Sequence, residues 1–218
     1  MRLRRLDGRD PQDRRNCSML IEHLGRRPAI DPTARIAPTA VICGDVSVGP
    51  DTSVGFGAVL TAESGPIVVG RRCVIMENAV IRGTRRHPAS IGDHVLIGPG
   101  AYLSGCTVRE CVFLATGTRV FNGAIIGARA EVRINGTVHL LTRLPDDATV
   151  PIGWVAVGDP ARILPPGAHD EIWAIQEPLD FPKEVFGVDR PGPGETRMPE
   201  IMARYCRALS RHQGDRIL

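Results

Sequence analysis

Lysine is almost missing from this chain. Lys183 is the only one, and the other 26 of 27 basic residues are arginine. No basic stripe with interleaved aromatics runs along the sequence, so a nucleic-acid partner is not expected. The arginine excess reads instead as the codon usage of a GC-rich genome. Aromatic residues are scarce too, at 4%, which excludes a core built on large rings. No run of 18 apolar residues occurs and no signal-peptide apolar region is legible, so no membrane partner is expected. Six cysteines (Cys17, Cys43, Cys73, Cys106, Cys111, Cys206) are scattered without a CxxC pair. They read as free thiols in a reducing cytosol, and a cytoplasmic location is the expectation.

Glycine and proline, by contrast, are plentiful, at 24 and 18 residues. That composition suits a fold with many turns and thin aliphatic layers. Residues 1–18 are rich in Arg and Asp and nearly devoid of apolar side chains, and read as a disordered arm. From Ile30 onward a period of six emerges. Aliphatics fall at Ile30, Ile36, Ile42, Val48, Val54 and Leu60, resume at Val69, Ile75 and Ile81, and resume again at Ile91, Ile97 and Leu103. Val108, Leu114, Val120, Ile126, Val132 and Val138 complete eighteen hexads. Glycine often follows the aliphatic (Gly49, Gly55, Gly70, Gly92, Gly98, Gly127), and a small residue often sits four positions after it (Ala40, Ala58, Ala101, Ala124).

Period six cannot place apolar residues on one face of a 3.6-residue helix. It fits a triangular β-coil with one hexad per flat face. One aliphatic per face points inward and stacks on its equivalent in the next coil. The hexad glycines are expected to serve turn conformations that a Cβ opposes. Eighteen hexads predict about six coils, ending near His139, and a mainly β fold. The segments TAESGP and GTRRHPAS interrupt the phase and predict loops. The stretch from Leu140 to Leu164 reads as an exit segment. Residues 168–179 and 199–211 predict two short helices, the second carrying Ile201, Tyr205 and Leu209 on one face. The expected organisation is an arm at 1–18, a β-helix domain with its exit segment at 19–165, and a helical extension at 166–218.

The segments GDVSVG (44–49), GAVL (57–60), IGDHVLIG (91–98), Gly105–Cys106 and WVAVGDPARIL (154–164) resemble the γ-class carbonic anhydrases. That family belongs to the hexapeptide-repeat superfamily, which also holds many acyltransferases. The resemblance spans about residues 20–164. It implies a left-handed β-helix and a homotrimer with sites between subunits. It also implies three zinc-binding histidines, and it places those positions at Arg82, Pro99 and Ser104. None of these offers the neutral nitrogen donor zinc prefers, so no metal is expected there and a working zinc carbonic anhydrase is not expected.

The register stacks Thr61, Arg82, Ser104, Phe121 and His139 outward on one face. The neighbouring face stacks Met76, Gly98, Ala115 and Arg133, with Glu77 and Pro99 one step on. His139 and Glu77 are the catalytic candidates. Arg82, Ser104, Glu63, Asn122, Arg133 and Asn135 are the substrate-binding candidates. Glu77 and Arg82 either pair across a corner or leave Arg82 to hold a substrate carboxylate or phosphate on its forked donors. His139 is either a structural cap or a general base whose ordinary pKa suits neutral pH. His87 reads as a mobile surface residue and His94 as an exposed one. The leading function is a metal-free small-molecule enzyme of acyltransferase type, with acyl-CoA as the cosubstrate that chemistry would need. A non-catalytic binding trimer and a lyase with an unusual metal site are the alternatives.

Overall fold

A computed structural model describes residues 18–218. The arm expected at 1–18 lies outside the described residues except for Ser18. The chain forms a left-handed parallel β-helix, followed by small C-terminal helices. Three inward columns run its length. The first joins Ile30, Val48, Val69, Ile91, Val108, Ile126 and Leu144. The second joins Leu20, Ile42, Leu60, Ile81, Leu103, Val120, Val138 and Ala156. The third joins Ile36, Val54, Ile75, Ile97, Leu114, Val132 and Val150. Most members are fully buried, and together they form one continuous core. Each fully buried aliphatic contributes roughly 1.5–3 kcal/mol, so stability resides in stacking and no coil stands alone.

Two expectations about the hexad ladder itself need correction. The ladder does not end at His139. Leu144, Val150 and Ala156 keep the six-residue step and build a further coil. Seven coils are complete, and Met19–Glu22 lays an eighth strand on one face. The second correction concerns the glycines. Those directly after the aliphatic do not adopt positive φ. Instead, a Cβ on Gly98 would lie 2.6 Å from the Ala115 carbonyl carbon of the next coil. The requirement there is close approach of coils. Left-handed backbone occurs three residues after the aliphatic, as at Asn78, Gly117 and Asn135. Asn suits that corner because its short polar side chain tolerates the conformation. Small side chains fill the tight inward corners, and Thr52 there satisfies its hydroxyl by donating to the Gly70 carbonyl at 2.8 Å.

TAESGP is not a free loop but part of the long strand Val59–Val69. After the last coil, Val155–Val157 pairs antiparallel with Arg162–Leu164. Helix α1 spans His169–Gln176 and helix α2 spans Met198–Leu209. Arg216–Ile217 then returns to pair antiparallel with Met19–Glu22. The C-terminal segment thus runs back along the β-helix to the first coil. Among the described residues no helix is long and apolar enough to cross a membrane. None of the described cysteines is bridged.

Candidate functional site

One outward column of the β-helix carries Cys43, Thr61, Arg82 and Ser104 in direct register. Phe121 and His139 continue it, because each follows a paired core residue, Val120 and Val138. The C-terminal segment crosses this column and roofs it. A cavity of about 450 Å³ lies between them. Its floor includes Glu63, Arg82, Tyr102, Ser104, Phe121 and Asn122. Its roof is supplied by Phe181, Glu184, Phe186, Ile201, Arg204, Tyr205 and Leu209. The predicted stripe Ile201, Tyr205 and Leu209 is therefore the face of α2 that meets the β-helix side.

Arg82 lies at the centre of the floor. Its Nη2 donates to Glu63 Oε2 at 2.8 Å and its Nη1 to the Tyr102 hydroxyl at 3.5 Å. Burial opposes the charge, but the Tyr102 hydroxyl and the Glu63 carboxylate more than offset it and hold the guanidinium firmly charged. The roof is pinned to the floor by Glu184. The His87 Nε2–H donates to one carboxylate oxygen at 2.8 Å and Arg86 donates to the other at 3.0 Å. His87 is therefore a clasp residue and not a mobile surface group. Phe181, Phe186 and Tyr205 brace the roof, with ring centroids 5.6 and 5.9 Å apart. Four arginines line the cavity (Arg82, Arg85, Arg86, Arg204) against two carboxylates, Glu63 and Glu184. Arg82, Arg86 and Arg204 are paired with Glu63, Glu184 and Glu200, and Arg85, with no carboxylate partner among the described residues, leaves one cation in excess, which favours an anionic occupant.

Of the residues nominated from sequence, Glu63, Arg82, Ser104 and Asn122 meet at this cavity. His139 stands next along the column but off the wall, behind Phe121, with ring centroids 6.0 Å apart. Its Nδ1 is buried without a partner, and burial pushes its pKa below the ordinary value. The imidazole is therefore neutral at pH 7. Glu77 is exposed at a corner, and within the chain Arg82 takes its carboxylate from Glu63 instead. Arg133 lies on the third face, 3.6 Å from Glu131. Asn135 occupies a left-handed corner at φ 55°. His94 is exposed at another such corner.

Sequence reasoning missed Tyr102 and most of the roof. Tyr102 precedes Leu103 as Val80 precedes Ile81, so the register could have found it. Glu184 and Arg204 left no periodic signal.

The third face differs in character. Around a cleft lined by Met76, Pro99, Phe113, Arg133, Ile134 and Ile152, Val74, Phe113, Ile134 and Ile152 are 41–63% exposed. Together these side chains form an exposed apolar strip along the third face.

No family model matches the chain. Among curated proteins, the one named "Probable carbonic anhydrase" in Methanocaldococcus jannaschii is 32% identical over 148 residues, covering 68% of this chain and 89% of that protein. This chain belongs to the γ-carbonic anhydrase family. Mitochondrial gamma carbonic anhydrase 1 of Arabidopsis thaliana is 31% identical over 164 residues, 72% of this chain. The match spans only 58% of that plant relative's length. A UDP-N-acetylglucosamine acyltransferase from Bacteroides fragilis superposes with a TM-score of 0.53 at 15% identity, covering 81% of this chain and 89% of that one. That likeness shows the shared β-helix.

Proposed function

We propose that this member of the γ-carbonic anhydrase family binds a small organic anion at Arg82, in a site that has given up the family's zinc. The observation that carries this reading is the fixed guanidinium at the centre of an arginine-rich cavity. The family resemblance implies zinc-ligand positions at Arg82, Pro99 and Ser104. A guanidinium, a ring without a donor and a hydroxyl do not make a zinc site. Arg82 instead offers forked donors suited to a carboxylate or phosphate. An entering anion would take over donors now engaged by Glu63, and Ser104 and Asn122 would supply further hydrogen bonds.

The exposed apolar strip on the third face supports a homotrimer, with Pro99 and Arg133 of one subunit brought toward the roofed face of another. The chemistry is a second reading, favoured by one observation. His139 is neutral, and its Nδ1 has no partner. In acyl transfer it would take the proton from an acceptor as the acceptor attacks a thioester carbonyl, and CoA would leave as the thiol. Phe121 stands between His139 and the cavity, so this reading requires that ring to swing aside.

The test is a thermal-shift panel of small carboxylates, phosphate esters and acyl-CoA thioesters. A stabilising anion is expected, with its shift abolished in Arg82→Met. A shift by acyl-CoA that disappears in His139→Ala would support acyl transfer. CO2 hydration by the purified protein, or an anion shift unchanged in Arg82→Met, would overturn the proposal.

A further inference from the structure

The C-terminal tail does more than close the roof. Its strand Arg216–Ile217 pairs with Met19–Glu22, and this pairing carries His212 and Asp215 onto His23 and Cys43. Asp215 Oδ1 lies 2.6 Å from His23 Nδ1, and Asp215 Oδ2 lies 2.7 Å from His212 Nδ1. The Cys43 Sγ is 3.9 Å from Asp215 Oδ2. The two imidazoles stack with centroids 4.3 Å apart. One ligand atom from each of the four residues falls within 4.8 Å of all the others. His23 and Cys43 are 3% and 4% exposed.

We infer that His23, Cys43, His212 and Asp215 form a closed, structural site for a thiophilic divalent cation of the zinc type. The donor set is one sulfur, two imidazole nitrogens and one carboxylate oxygen, which is the chemistry zinc selects. Bonds of about 2.0–2.3 Å in a tetrahedron place ligand atoms roughly 3.3–3.8 Å apart. The observed separations bracket that spacing, so loading requires side-chain shifts and no change of backbone. Charge also closes. A thiolate and a carboxylate balance the dication, and both imidazoles bind neutral. On loading, the thiol proton leaves to solvent, and each neutral imidazole binds through Nδ1 with its one ring proton carried on Nε2. Four protein ligands leave no open coordination position, so the site is a clasp and not a Lewis-acid centre.

Its placement gives the clasp a purpose. Cys43 stands one coil from Thr61 and two from Arg82 on the same outward column. His212 and Asp215 follow α2, whose residues roof the cavity. A cation here ties the end of the roof to the first coil of the β-helix. The inference stands independently of what the cavity binds.

The test uses the full chain, stripped by a chelator and titrated with Co(II) and then Zn(II). One equivalent is expected, with intense tetrahedral cobalt bands and a thiolate-to-cobalt charge-transfer band. Cys43→Ser should lose the charge-transfer band. His212→Ala, at a residue near the surface, should keep the circular dichroism of the fold and bind zinc at least a hundredfold more weakly. Zinc should raise Tm in the parent chain and not in His212→Ala. Arg82→Met should bind zinc as the parent does, which separates this site from the anion cavity. No charge-transfer band in the parent, its survival in Cys43→Ser, or unchanged zinc affinity in His212→Ala would overturn the inference. None of those results would alter the anion shifts at Arg82.

Discussion

Removing the Glu184 carboxylate should open the roof without unfolding the β-helix. Glu184 is 19% exposed and accepts hydrogen bonds from His87, 22% exposed, and from Arg86, 63% exposed. A charge-assisted hydrogen bond between largely buried partners contributes about 1.5–3 kcal/mol. The Arg86 pair is screened by solvent and adds about 0.2–1 kcal/mol at most. Freed side-chain entropy returns part of this. A net loss near 1.5 kcal/mol corresponds to roughly a tenfold rise in the open population. Hydrogen exchange followed by mass spectrometry reads this directly. In Glu184→Ala, peptides covering 181–209 should exchange about tenfold faster, while the coils around Leu103 keep their protection. Glu184→Gln should fall between parent and Ala, since it keeps an acceptor but loses the charge. Unchanged exchange over 181–209, or equal loss of protection throughout the coils, would refute the assignment of Glu184 as the pin.

Three further outcomes follow from the same structure. Leu103→Ala should cost about 3–5 kcal/mol in chemical denaturation, because Leu103 is fully buried between Ile81 and Val120 and the rigid column cannot collapse around the void. Gly98→Ala should cost about 1–3 kcal/mol, since its Cβ would press on the Ala115 backbone of the next coil; a neutral substitution would show that the coil spacing has slack. His139 makes the fold acid-sensitive. Its folded pKa lies below the ordinary value, so the unfolded chain binds more protons in that window and stability falls as pH drops through about 6.5. The difference in denaturation midpoint between the parent and His139→Phe should therefore change between pH 7.5 and pH 5.5, and a constant difference would count against burial as the cause.

Much of this protein is legible in its sequence because a solenoid repeats one local rule. Each inward aliphatic contacts its equivalents one coil away, so the pattern Ile81, Leu103, Val120, Val138 encodes both pairing and facing. The outward column follows from the same register, which is why Arg82 and Ser104 are found side by side. Even the overlooked coil at Leu144, Val150 and Ala156 was written in that step, obscured by the prolines and glycines around it. The reason for the hexad glycines was not legible, because the closeness of neighbouring coils is a property of the stack.

What only the tertiary structure decided are the contacts made once. His87 meets Glu184 across 97 residues, and His23 meets Asp215 across 192. No repeat reinforces such pairs, so no period announces them. Arg82 alone straddles both kinds of information. The ladder places it on the outward column with Thr61 and Ser104, and the folded chain decides that Glu63 and Tyr102 hold it beneath a roof made from the C-terminal segment.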